Sequence, residues 1–93
     1  MNIALLVLQQ RNFPLRHLVT LTWGDSNPPG TTWNVYRTTG ACPGTSEPFR
    51  IVGGLNAQTF TDVVLTGSYC YGVTAVSDGQ ESSLSNTVTV MIP

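Results

Sequence analysis

Ser68-Tyr69-Cys70-Tyr71-Gly72-Val73-Thr74-Ala75-Val76 carries the strongest strand signal in the sequence. A strand sends alternate side chains to opposite faces. On that period Tyr69, Tyr71, Val73 and Ala75 face one way, and Cys70, Gly72, Thr74 and Val76 the other. So long a run of aromatic, β-branched and small residues predicts a central strand. Ser77-Asp78-Gly79-Gln80 supplies a reversal, with Asp-Gly as a favourable turn pair. Residues 85–92 then alternate again, with Val88, Val90 and Ile92 inward and Thr87, Thr89 and Met91 outward.

Upstream the same period recurs. Residues 18–23 place Val19, Leu21 and Trp23 on one face and Leu18, Thr20 and Thr22 on the other. Gly24-Asp25-Ser26-Asn27-Pro28-Pro29-Gly30 is dense in breakers and turns the chain. Residues 33–38 bury Trp33 and Val35, with Tyr36 opposite, and residues 39–48 form a long polar connection holding Cys42. Residues 49–52 read as a short strand, Gly53-Gly54 as a turn, and 58–62 as a strand anchored by Phe60.

Composition agrees. Thirteen Thr and ten Val stand against four Ala, two Glu and no Lys, which favours a pleated surface over a helix. Leu, Ile, Val and Phe supply 25 of 93 residues, enough for the core of one domain. Seven short antiparallel strands in this length predict an all-β, two-sheet sandwich. Four Arg against five acids leave no basic footprint for a phosphate backbone, so nucleic acid is not an expected partner.

Residues 1–15 stand apart as an apolar arm or first strand, with the domain proper at 16–93. Met1-Asn2-Ile3-Ala4-Leu5-Leu6-Val7-Leu8 has no basic residue before its apolar run and no small-residue cleavage pattern after it, so it reads poorly as an export signal. It is also too short to cross a bilayer, and no membrane insertion is expected. If extended, Ile3, Leu5 and Val7 point one way and Ala4, Leu6 and Leu8 the other, giving two apolar faces. Two readings follow: an assembly arm, carried by Ile3, Leu5, Leu6, Val7 and Leu8, that joins an edge of the next copy, or an ordinary first strand with one face covered by a loop.

From His17 to Pro93 the chain resembles a fibronectin type III domain of the kind common in bacterial and phage proteins. The residues that carry the resemblance are Val19-Thr20-Leu21-Thr22-Trp23, Trp33-Asn34-Val35-Tyr36-Arg37, Thr59-Phe60-Thr61-Asp62, Glu81-Ser82-Ser83-Leu84-Ser85-Asn86 and, most specifically, residues 65–76. The resemblance implies an immunoglobulin-like sandwich with Trp23, Trp33, Tyr69 and Tyr71 in its structural core. Tyr69 would be the corner tyrosine whose hydroxyl bonds back to the upstream backbone. Trp33 stands where the family more often has Tyr, and the first seven residues extend beyond the usual start of its first strand.

The strand positions implied by that resemblance bring Cys42, beyond the end of one strand, near Cys70 at the start of its antiparallel neighbour. A disulfide between them would close a 28-residue separation, worth about 3.5 kcal/mol by the chain-entropy estimate. Two free buried thiols are the alternative. One His and two Cys cannot complete a zinc site. Asp25 with Asn27, or Asp62, has the ligand type for calcium but no Asp-x-Asp-x-Asp run behind it. No cofactor is implied. His17, the sole His, has no nucleophile placed beside it by a motif, and no Gly-x-Ser-x-Gly elbow exists, so no catalytic residue is expected.

The face carrying Tyr36, Thr38, Thr74 and Val76 could bind sugar or protein, although cross-strand packing explains those residues equally well. The expected function is a non-enzymatic structural or interaction module of an extracellular assembly such as a virion or surface filament. Its partners would be other copies of itself or a larger particle, and a chain beginning with Met without a credible signal fits that class. The alternative is a spacer or carbohydrate- or protein-binding accessory domain of a secreted bacterial protein.

Overall fold

Val19, Leu21 and Trp23, the apolar half of an alternating run, are buried together in the folded chain. The computed structural model describes residues 3–13, 16–25, 29–43 and 47–93, without the side chains of 3–10, 12, 13 and 25. Eight strands lie among these residues: β1 (Ile3–Phe13), β2 (Arg16–Asp25), β3 (Thr32–Thr39), β4 (Phe49–Leu55), β5 (Thr59–Val64), β6 (Gly67–Ser77), β7 (Gln80–Glu81) and β8 (Val88–Ile92). One sheet has the order β1-β2-β5; the other has β4-β3-β6, with β7 and β8 both paired to β6. Every pairing is antiparallel. Because β7 and β8 are two pieces of one edge, the sandwich has the seven strand positions expected.

Alternation fixes which faces meet. Val19, Leu21, Trp23 and Val64 from the first sheet pack on Trp33, Val35, Tyr71, Val73, Ala75, Val90 and Ile92 from the second. Trp23 and Trp33 contact edge to face at 6.4 Å between ring centroids. Phe60, Tyr69 and Val88, expected in the core, are only partly buried against it. Val64 belongs to the core although the expected strand stopped at residue 62.

Three expectations need correction. Gly53-Gly54 is not a turn between strands but the far end of β4, where the ladder to β3 shifts register. Gly54 adopts φ +70°, which glycine reaches without a Cβ penalty, and its N–H donates to Asn34 Oδ1 at 3.2 Å. The last strand begins at Val88, not at residue 85, because Ser82 and Ser85 bond to β6 through their hydroxyls. The face of β6 carrying Cys70, Gly72 and Thr74 is buried as fully as its core face.

The backbone of residues 3–13 is β1, paired with β2 of the same chain from Ile3↔Asp25 to Phe13↔Arg16. The ladder slips by one residue between Leu5 and Val7, so the strict alternation expected over residues 3–8 is interrupted. The side chains of the arm residues Ile3, Leu5, Leu6, Val7 and Leu8 lie outside the described residues.

Candidate functional site

Asn34, Tyr36 and Thr38 are alternate residues of β3, so they share the outer face of the larger sheet. Their ladder partners on β6 are Thr74, Gly72 and Cys70. The Asp78-Gly79 turn, with both residues at positive φ, brings β7 back along β6 and sets Glu81 opposite Val76. From there one carboxylate oxygen, Glu81 Oε2, accepts hydrogen bonds from Asn34 Nδ2 at 3.0 Å, Thr74 Oγ1 at 2.6 Å and the Tyr36 hydroxyl. Three donors on an anion hold it in its charged form. Hydrogen bonds from Thr74, Tyr36 and Asn34 accordingly draw the Glu81 carboxyl below the usual range, and the bond to Glu81 pushes the Tyr36 phenol up.

Beyond this cluster, Leu84 lies over Gly72. A Cβ built on Gly72 would come within 2.9 Å of Leu84 Cγ, so the leucine can seat there only because the strand residue has no side chain. Two adjoining clefts flank Leu84 and share Tyr36 and Pro48. The first, about 230 Å³, is bounded by Thr38, Pro43, Gly72, Thr87 and the disulfide residue Cys70. The second, about 250 Å³, is more polar and includes Glu47, Thr74, Glu81 and Ser82. Together they form a surface with an aromatic ring, prolines and a fixed carboxylate. It can accept hydrogen bonds and cover apolar groups.

Cys42 and Cys70 are joined at an S–S distance of 2.08 Å, fastening the loop after β3 to β6. Cys42 N–H also donates to Thr89 Oγ1 at 3.0 Å, and Thr89 is the ladder partner of Cys70. The pairing expected from the resemblance is thus present, but Cys70 is buried under this outer layer at 4% exposure.

A second polar cluster joins the two sheets. Asp62 of β5 accepts on Oδ2 from Arg37 Nη1 and from the Tyr71 hydroxyl, both at 2.7 Å. The Arg37 guanidinium also lies 5.6 Å from the centroid of the Tyr69 ring. Burial, and then the bond to Asp62, push the Tyr71 phenol well above its ordinary range. For Arg37, burial pulls downward but the bond and charge of Asp62 outweigh it and hold the guanidinium charged. Asp62 is therefore a structural counter-ion inside a strand. Among the described residues no group of three or more His, Cys, Asp or Glu is placed to hold a metal ion. Asn27 and the Asp25 side chain, named with Asp62 as candidate calcium ligands, lie outside the described residues. His17 sits near the start of β2, partly buried.

Thr38 and Thr74, expected on an open face with Tyr36, are each 4% exposed. Over Thr74 and Gly72 the cover comes from Glu81 and Leu84, in a segment whose sequence signal is weak: Ser82 and Ser85, three apart, with a leucine between them. Trp23, Trp33 and Tyr71 occupy the core as expected, and the Tyr69 hydroxyl donates to Leu65 O at 2.9 Å.

No protein-family model matches the sequence, and comparison with curated proteins finds no match. Among solved structures, the fold superposes on the crystal structure of an Fn3-like protein from Clostridium thermocellum with a TM-score of 0.66. The two chains are 29% identical, and the match covers 82% of this chain and 77% of that one. This chain is a fibronectin type III-like domain. In such a domain the Tyr69–Leu65 bond is the tyrosine corner. A fibronectin type III-like fold supports a non-enzymatic module in general. Among the described residues no helix is long and apolar enough to cross a membrane.

Proposed function

We propose that this fibronectin type III-like domain is a structural and interaction module of an extracellular assembly, such as a virion decoration protein or a surface filament subunit. The observation that carries the proposal is the Cys42–Cys70 disulfide. Such bonds persist in oxidising surroundings and are rare where glutathione keeps thiols reduced. It ties a long loop to the central strand of the larger sheet, stiffening a surface rather than serving a reaction. Antibody detection of the chain across fractions of its source tests the location. Recovery with extracellular particles or filaments supports the proposal; confinement to the soluble cytoplasm contradicts it.

A second reading, a carbohydrate- or protein-binding accessory domain, is favoured by the paired clefts around Tyr36 and Glu81. A fixed carboxylate beside an aromatic ring suits hydroxyl-rich ligands, which offer donors on their edges and C–H groups on their faces. Titration calorimetry against a panel of polysaccharides checks this. Binding lost in Tyr36→Ala with the fold intact supports the second reading, and absence of heat with every sugar removes its carbohydrate form.

A further inference from the structure

Of the free edges of the two sheets, that of β1 is unlike the rest. β4 carries Arg50, two glycines and two register shifts. β5 carries Asp62 in six residues, and β8 is only five residues long. β1 runs for eleven residues with one ladder, to β2, so the backbone donors and acceptors along its other side have no strand partner among the described residues. Proteins that stay monomeric usually blunt such an edge with Lys, Pro or charge. Residues 3–13 contain no Lys and no Pro, and Arg11 is their one charge. The bulge between Leu5 and Val7 bends the strand but leaves residues 7–13 in unbroken register with Thr22 to Arg16.

Ile3-Ala4-Leu5-Leu6-Val7-Leu8 is apolar throughout, so a strand there has two apolar faces. The described strands form two layers, and only one face of β1 meets the core between them. Among the described residues nothing extends the sheet beyond β1.

We propose that β1 pairs with β1 of a second copy, antiparallel about a two-fold axis, joining two three-stranded sheets into one of six. The charge pattern suits a second copy as that partner. In antiparallel self-pairing, the two Arg11 residues stand opposite each other only in the register centred on Arg11, which leaves residues 3–8 unpaired. Every register that engages the apolar run puts Arg11 opposite a neutral residue or beyond the paired stretch. A two-fold contact also closes after two copies and does not propagate into a fibre. This deepens the interaction-module reading by naming one partner, and it rests on that reading only for the idea that the domain associates.

Light scattering and amide hydrogen exchange on the full chain, each over a concentration series, test the pairing. Val7→Lys with Gln9→Lys supplies the variant, because their ladder partners Thr22 and Thr20 are not core residues and the sandwich should still form. The proposal expects the 10.0 kDa mass to double with concentration. Exchange across residues 3–13 should slow in step, and both effects should vanish in the variant while its circular dichroism stays native. A wild-type chain that remains at 10.0 kDa to its solubility limit overturns the pairing. So does a dimer whose β1 amides exchange independently of concentration, or one that survives the double substitution. If the variant fails to fold, the wild-type exchange series decides alone. A monomer recovered from extracellular particles would sink the pairing and leave the module reading standing.

Discussion

Ser85 meets Val73 twice: its N–H donates to Val73 O at 2.8 Å, and its Oγ accepts from Val73 N at 2.9 Å. Three residues earlier Ser82 does the same to Ala75, at 2.8 and 2.9 Å. In an ordinary ladder a carbonyl would stand where each hydroxyl does. The serines thus keep β6 paired along a stretch where the neighbouring chain is not a strand, and they free Leu84 to fold over Gly72.

Removing one hydroxyl leaves a buried N–H of β6 without its acceptor, at a cost of about 1–3 kcal/mol. Ser85→Ala should lower the unfolding free energy by that amount, read as a lower urea midpoint with little change in slope, and Ser82→Ala should do likewise. An unchanged midpoint in both would mean that water or a shifted backbone replaces the hydroxyl at no cost.

How much of this was legible in the sequence depends on which periodicity a segment obeys. β2, β3 and β6 alternate cleanly, so their core faces follow from the residues alone. Gly53-Gly54 misleads because a glycine pair is a common turn signal, whereas here it forms the bulged end of β4 beside Asn34. Residues 82–87 obey neither the strand nor the helix period. Ser82 and Ser85 make sense only once the N–H groups of Ala75 and Val73 are known to face them. The outer-face cluster was missed for the same reason: Asn34, Tyr36, Thr74 and Glu81 converge only through the β6–β7 reversal.

Acid should act through Glu81. Its folded carboxyl titrates below the ordinary value of 4.5, so its stabilising contribution is complete above that value and is lost as pH falls through the lowered one. Glu81→Gln should therefore flatten the acid limb of a stability-against-pH curve while lowering stability at neutral pH. Parallel acid limbs for the two proteins would show that the carboxylate's hydrogen bonds add nothing.

Alkali acts through Tyr71 in the opposite sense. Its folded phenol is raised above 10.0, so its contribution is intact below that pH and declines as pH rises beyond it, when only the unfolded chain ionises. Tyr71→Phe should cost about 1.5–3 kcal/mol near neutrality, as expected for a hydrogen bond to a charged group. It should also remove part of the alkaline loss. Absorbance at the phenolate band, compared with that of Tyr71→Phe, should show Tyr71 ionising only as the domain unfolds; ionisation of Tyr71 in the still-folded domain would contradict the Asp62 contact.

Reduction of Cys42–Cys70 should remove about 3.5 kcal/mol, or roughly 15–25 °C in melting temperature for a domain of this size. Cys42→Ala with Cys70→Ala should match the reduced protein and become insensitive to reductant. A melting temperature unaffected by dithiothreitol in the wild-type chain would mean the bridge contributes no stability.

The proposed role requires this fibronectin type III-like domain to work oxidised, outside a reducing compartment. The decisive measurement is to isolate the chain from its source under conditions that trap thiols, alkylate it, and map its peptides without reductant. One linked peptide pair containing Cys42 and Cys70, with no alkylated cysteine, is expected. Alkylation at both positions in freshly isolated protein would contradict it.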